Sequence, residues 1–533
     1  MPPRPQPSKY GWSAVLSALS LFPFGVAPSS CARPQSAIGA GETSGGAASA
    51  VSGQGSASGT GNESFGAPSS SGAGTASSGA PSSNASGSET ASGAGSSGGG
   101  ETDTVASMGN LDAGDEAALP DGGGDASGVA SDGAAGPAVV DTQMDGKMLF
   151  GYQGWFACPN DGSTVDGWQH WLQGTTQFQV DFWPDLSEFS AAELFAIPGM
   201  TLPDGGPAAV FSAYPAATVA RHFQWMREYG IDGALLQRFL GEVQDPRFFA
   251  FRNQVTKNVT NAAEAEGRIF AIEYDLSGVA ANVVLSELET DWMSMVDTLG
   301  VLQSSRYLHV GSKPALFVWG LGFPDRPVTP AVATQLIAWL QTSAPAKYRV
   351  AVVGGVPSNW RTLTGDSSPD PGWAPVYRSL DVVSPWSVGR FGDASGADQY
   401  EQEVLAPDLA ELKPLGVGYL PVVFPGFSWH NLNGGPLNQI PRNGGTFYWR
   451  QVYNAMTAGA TMMKTAMFDE MNEGTAMLKM QTTSAGVPTQ ASFVTLDIDG
   501  LTLQSDHYLS LGGAATRMVH GDTPVVATLP ALP

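Results

Sequence analysis

Two cysteines in 533 residues, Cys31 and Cys158, cannot build a disulfide framework. Basic side chains are equally scarce: 25 Lys and Arg stand against 49 Asp and Glu, for a net charge of -24. A phosphate-binding surface needs clustered cations to release counterions, so nucleic acid is excluded as a partner. The six histidines, His170, His222, His309, His430, His507 and His520, are scattered without an HExxH or a paired-cysteine spacing. No metal and no cofactor is expected from that pattern. Nor does a GxGxxG follow any strand-like run, which argues against a dinucleotide-binding doubly wound sheet. The N-terminal apolar run, 12–27, is too short to span a bilayer comfortably.

That run instead follows Arg4 and Lys9 and precedes small residues, the order of a signal peptide. The chain is therefore expected to be exported, to the exterior or the cell envelope. Cys31, after Pro28-Ser29-Ser30, is a candidate lipid acceptor that would attach the protein to a membrane; simple cleavage near Ala27 is the alternative. Residues 1–31 are read as this signal and 32–143 as a disordered Ser/Gly/Ala-rich tether, because such a stretch cannot bury enough apolar surface to offset its ordering entropy. A Gly-rich coil of about 110 residues has a root-mean-square reach of roughly 60 Å. Residues 144–533 form the folded domain, and a monomer is expected. The sequons at Asn84 and Asn258 match a glycosylation pattern by letter only.

Within the folded part, eight apolar runs are bounded by Gly, Pro or Asn: 148–156, 233–239, 268–275, 314–319, 349–353, 380–385, 418–424 and 461–468. Helical spacing occupies 217–229, 246–266, 291–302, 331–343, 397–415 and 446–458, with a last helix over 505–519. Strands alternating with helices imply a parallel sheet, and eight units predict an α/β fold of the (β/α)8 TIM-barrel type. Such barrels place chemistry at the C-terminal ends of their strands.

Those ends carry Tyr152, Trp155, Gln237, Arg238, Glu273, Asp275, Trp319, Trp386, Trp429 and His430, with His170 and Trp171 in the segment after the first strand. Aromatic faces suit the C–H faces of sugars, and amide or charged groups suit hydroxyls, so a carbohydrate is the expected partner. The eighth run ends in Phe468-Asp469-Glu470-Met471-Asn472-Glu473-Gly474-Thr475. Glycosidic cleavage needs one carboxyl to protonate the leaving oxygen and a second to supply or activate a nucleophile, so Glu470 and Glu473 are the candidate catalytic pair. In an extended strand i and i+3 point to opposite faces, so the chain must turn after Phe468 or Asp469 for the pair to share the mouth. A non-catalytic carbohydrate-binding barrel is the alternative, since it needs the aromatic bowl and not the pair.

Residues 148–520 resemble glycoside hydrolase family 71 and 99-like proteins, through GYQGWFACPNDG, RHFQWMREYGIDGALLQRF, PVVFPGFSWHN, PRNGGTFYWRQVYNA and MFDEMNEGTAM. The resemblance implies a (β/α)8 barrel of retaining endo-acting α-mannosidases that use no metal in catalysis. By position it implies that Glu470 acts as base on the substrate's own 2-hydroxyl, forming a 1,2-anhydro sugar, and Glu473 as general acid then base. Arg442 falls at a family substrate-loop position. Where family 99 has EWHEGT this chain has Met471 and Asn472 between the glutamates, and Asp469 in place of Asn before them.

Overall fold

A computed structural model describes residues 138–139 and 141–532. The expected signal segment, Cys31, Asn84 and the tether up to residue 137 lie outside them; the tether's expected end at 143 is corrected, since Val139 is buried with its N–H on Gly267 O and Thr142 O accepts from His309 N.

The barrel strands are β1 (Met148–Tyr152), β2 (Gly233–Phe239), β3 (Ile269–Asp275), β4 (Lys313–Trp319), β5 (Ala351–Pro357), β6 (Val382–Trp386), β7 in two halves (Gly418–Tyr419 and Val422–Val423) and β8 (Met463–Thr465). Every pairing between neighbours is parallel, and β8 returns to β1 through Met148 opposite Met463. The first half of β7 pairs with β6 and the second with β8, so the two halves together close the ring. Pro421 divides them because it has no N–H to give the ladder; its carbonyl still accepts from Lys464 N at 2.9 Å. Strands covered on both faces are almost continuously buried, as in β1 and β3.

Each strand is followed by a helix: α1 (Ala216–Glu228), α2 (Pro246–Glu266), α3 (Ala281–Asp297), α4 (Pro330–Ala338), α5 (Trp373–Arg378), α6 (Ala394–Tyr400) continuing into α7 (Ala406–Leu412), the single turn α8 (His430–Asn433), α9 (Thr446–Ala458) and α10 (His507–His520). In α2 the boundaries are written locally: the Asp245 side chain accepts from Arg247 N, Pro246 sits in the first turn, and Gly267 ends the helix at φ 62°. Between β1 and α1 lies an insertion carrying two antiparallel hairpins, Leu172–Gln173 with Gln177–Phe178 and Leu194–Thr201 with Pro207–Phe211. Its aromatic core, Phe156 on Trp171 at 4.2 Å and Trp171 on Phe211 at 5.1 Å, builds one wall of the barrel mouth.

Several expected boundaries move. The first and eighth strands stop at Tyr152 and Thr465, well short of 156 and 468, and the fifth runs on to Pro357. The third helix begins ten residues before the expected start, and α5 was not expected at all. Asn258 is buried in α2 and its side-chain amide donates to Tyr214 O, so that sequon is structural.

Candidate active site

β8 ends early, and the chain then turns so that both glutamates come to the mouth. The Ala466–Met467 peptide is cis. Phe468 N donates to Gly151 O at 2.7 Å, tying the turn to β1, and Met477 N returns to Phe468 O at 3.0 Å. Inside this loop Thr475 N donates to Glu470 O at 3.1 Å. Gly474 stands at φ 67°, where a Cβ would come within 2.8 Å of Ser428 N, so no larger residue fits without displacing the β7 loop. Ser428 N in turn donates to Glu473 O at 2.9 Å.

Glu470 is buried, and each of its carboxylate oxygens accepts one N–H: Oε2 from Gln153 Nε2 at 2.6 Å, Oε1 from Asn472 N at 3.2 Å. Burial, then the charges of Glu473 and Asp469, pushes its carboxyl well above the usual range. Burial, then the charge of Asp275, raises Glu473 to about 7. Asp469 accepts from Gln153 N at 2.7 Å and Gly154 N at 2.9 Å, and burial lifts it to about 6. Asp275 is lifted to about 6, again first by burial and against the Ser277 N–H that it accepts at 2.7 Å. Four carboxyl groups thus share one low-dielectric mouth and hold protons toward neutrality. Because the two glutamates are coupled, the proton belongs to the pair. Donors on both Glu470 oxygens favour the ionised form there, and no N–H donor to the Glu473 carboxylate offsets its burial among the described residues.

Around the pair stand aromatic walls. Trp155 is sandwiched between His170, stacked at 3.7 Å and 7°, and Phe239 at 5.4 Å and 22°. His170 sits at φ 62°, its carbonyl accepts from Asn472 Nδ2 at 2.8 Å, and burial drives its ring well below its ordinary value, so it is neutral. On the other side Trp319 meets Trp386 edge-on at 5.7 Å, and Trp319 is paired in register with Asp275. The buried indole N–H groups of Trp155, Trp319 and Trp429 have no acceptor among the described residues.

Below the mouth, Lys464 of β8 reaches across the barrel to both oxygens of Glu273, at 2.5 and 2.7 Å, with its ammonium 5.5 Å from the Trp386 ring centre. Glu273 therefore belongs to an internal ion pair. Gln237, its neighbour in register on β2, faces the same interior.

Four of the expected site residues are placed elsewhere. Arg238, one residue from Gln237, points the opposite way: it grips Asp291 of α3 at 2.5 and 2.6 Å, and Tyr274 donates to the same carboxylate at 2.6 Å. Tyr152 faces α1, where its hydroxyl meets His222 Nδ1 at 2.9 Å. Trp171 is wholly buried in the insertion core, with Nε1 donating to Phe211 O at 2.8 Å. Arg442 lies beneath the turn that carries Glu470 and Glu473 and donates to the carbonyls of Gly474 and Ala476 at 2.8 and 2.7 Å, sandwiched between the Phe182 and Tyr508 rings. It shapes the turn from behind. His430 is half-buried beside Trp429, with its ring nitrogen on Gly435 O and its amide on Asp181.

The residues the sequence did not single out are partners. Asp181 collects Ser428 Oγ, His430 N and Asn431 N, stapling the β7 loop to the insertion. Arg252 of α2 holds Gln153 O at 2.9 Å and is itself held by Glu242. For Asp181, Arg252 and Lys464 the signal is pairing over long sequence separation, which local pattern does not carry; Gln153 stands at the end of the first strand, where the sequence places it, and its contact with Glu470 spans the same kind of separation.

No family model matches the chain, and no curated protein matches it. Among solved structures it is similar to the GH99 endo-alpha-mannosidase from Bacteroides thetaiotaomicron, at 14% identity over 71% of this chain and 98% of that one, with a TM-score of 0.52. A second structure of that enzyme, in complex with BIS-TRIS-propane, matches at 14% identity and a TM-score of 0.51 over the same shares. The shared fold is the (β/α)8 barrel. At this identity the likeness is one of architecture, and the family 71 and 99-like resemblance is matched at that level.

Proposed function

We propose that this protein is a glycoside hydrolase that cleaves α-linked glycans or polysaccharide with retention of configuration, using Glu470 and Glu473. The observation that carries this reading is the pair itself: two carboxyls on one turn at the end of β8, Glu470 buried, with N–H donors on both oxygens and pushed well above its ordinary range, and Glu473 half-buried and raised to about 7. Near neutrality such a pair holds one proton. Glu473 supplies it to the leaving oxygen, while ionised Glu470 draws the proton from the sugar 2-hydroxyl so that this oxygen closes on the anomeric carbon. Water, deprotonated by Glu473, then opens the 1,2-anhydro sugar at the anomeric carbon while Glu470 returns its proton to the departing 2-oxygen, and two inversions leave the configuration retained. The aromatic walls support a sugar ligand.

The amino-terminal segment supports export, with Cys31 as a membrane attachment point; the protein is read as a monomer. The test is a screen of α-mannan, α-1,3-glucan and xylan-derived glycans for reducing-end release. Release by the wild-type protein and its loss in Glu473→Gln supports the reading, and binding without release by the wild-type protein favours a carbohydrate-binding barrel instead.

A further inference from the structure

We propose that Gln153, the first residue after β1, is a positioning residue that orients the Glu470 carboxylate and keeps it available as a base. The proposal rests on the hydrolase reading for its consequence and on geometry for its substance. Gln153 touches the turn twice. Its backbone N–H donates to Asp469 Oδ1 at 2.7 Å, and its side-chain Nε2 donates to Glu470 Oε2 at 2.6 Å. Its own carbonyl is held by Arg252 Nη1 at 2.9 Å, and Gly154 N, at φ 54°, gives the second donor to Asp469. The amide is thus fixed through its backbone from two sides.

The side chain is buried, and its Oε1 has no partner among the described residues. An orphaned buried carbonyl is costly, so packing alone does not account for an amide at this position; the one internal bond that its side chain makes is to Glu470. The charged groups facing Glu470 are Asp469 and Glu473 on its own turn, Asp275 at the end of β3 beyond Glu473, and Arg252 of α2 behind Asp469. Three of the four are acidic and oppose ionisation of Glu470. The Gln153 N–H works against them, at the oxygen opposite the one bonded to Asn472 N.

The test compares wild type with Gln153→Met, which keeps the length of the side chain and removes the donor, and with Gln153→Glu. Side-chain carboxyl carbons are followed by NMR through a pH titration, with Glu470 assigned by its loss in Glu470→Gln. In Gln153→Met the Glu470 midpoint is expected to move upward while Asp408 of α7, bonded to Trp360 and Arg361 and raised by burial to about 7, titrates as before. On a glycan that the wild type cleaves, kcat is expected to fall by about 10- to 100-fold with little change in KM, as for a misplaced catalytic group, and the acidic limb of the pH profile shifts upward. Gln153→Glu, whose added charge faces Glu470, is expected to move the midpoint up further. An unchanged or lowered Glu470 midpoint in both variants overturns the proposal. If one variant does not fold, the other decides. If the wild type cleaves no glycan but the midpoint moves as described, the hydrolase reading fails and the positioning of Glu470 by Gln153 stands.

Discussion

Adjacent residues at the ends of β2 and β3 do opposite work. Gln237, Glu273 and Asp275 face the barrel interior, where Glu273 is held by Lys464 and burial raises Asp275 to about 6. Arg238 and Tyr274, one residue away, face α3, where the buried cation meets its counter-charge: Asp291 accepts from Arg238 Nε and Nη2 and from the Tyr274 hydroxyl. Strand alternation alone separates the two environments. The inner one carries the unfavourable electrostatics that chemistry needs, and the outer one holds the wall in place.

This contrast can be broken from either side. The largest effect is expected inside: Glu473→Gln should lower kcat/KM by about 1000-fold or more, because the pair acts as a unit. Measured initial rates on the cleaved glycan check it. Outside, Arg238→Met should destabilise by about 3–5 kcal/mol by leaving Asp291 buried without its cation, read from urea unfolding, while kcat per folded molecule is retained. Arg442→Met is intermediate in kind. It leaves the Gly474 and Ala476 carbonyls unpaired, at about 1–3 kcal/mol each at most, and loosens the turn, so stability and kcat should fall together.

The inner carboxyls also set a pH dependence with a definite sign. Asp275 and Asp469 titrate at about 6 and Glu473 at about 7 in the folded state, above their unfolded values, so the folded protein binds more protons between about pH 4 and 7. Stability is therefore highest below the unfolded values and falls as pH rises through the folded ones. His520 adds in the same direction: its bond to Asp232 raises its ring above the ordinary value, and that contribution is lost as pH rises through the folded pKa. Replacing Glu473 by Gln removes a buried charge and should stabilise the protein at pH 8 by about 1–3 kcal/mol, the smallest of these effects and opposite in sign to the loss of activity. Thermal unfolding at pH 5 and pH 8 checks both statements.

Much of this arrangement is legible in the sequence, because it depends on periodicity. All eight strand regions and the ExxE at the eighth follow from apolar runs and their punctuation. The features that stayed hidden depend on direction or distance. Apolar run and polar tip alone do not say that Tyr152 and Arg238 turn outward, since both strand faces are buried and no polar alternation marks the inner one. Trp171 reads like Trp155 by type, yet its indole is satisfied within the insertion and that of Trp155 is not. Lys464 and Glu273 are 191 residues apart, and Gln153 and Glu470 are 317 apart, so only the closed ring brings them together. The break in β7 is another feature that stayed hidden: 418–424 reads as one apolar run, although Pro421 within it has no N–H to give the ladder.

The most direct test of the paired-glutamate account is to follow glycan cleavage by proton NMR at the new anomeric centre, with wild type and Glu473→Gln side by side. The account predicts that the wild type first releases the α-configured product, which then mutarotates, and that Glu473→Gln releases product about 1000-fold more slowly or not at all. A β-configured first product, or equal rates from the two proteins, would contradict it.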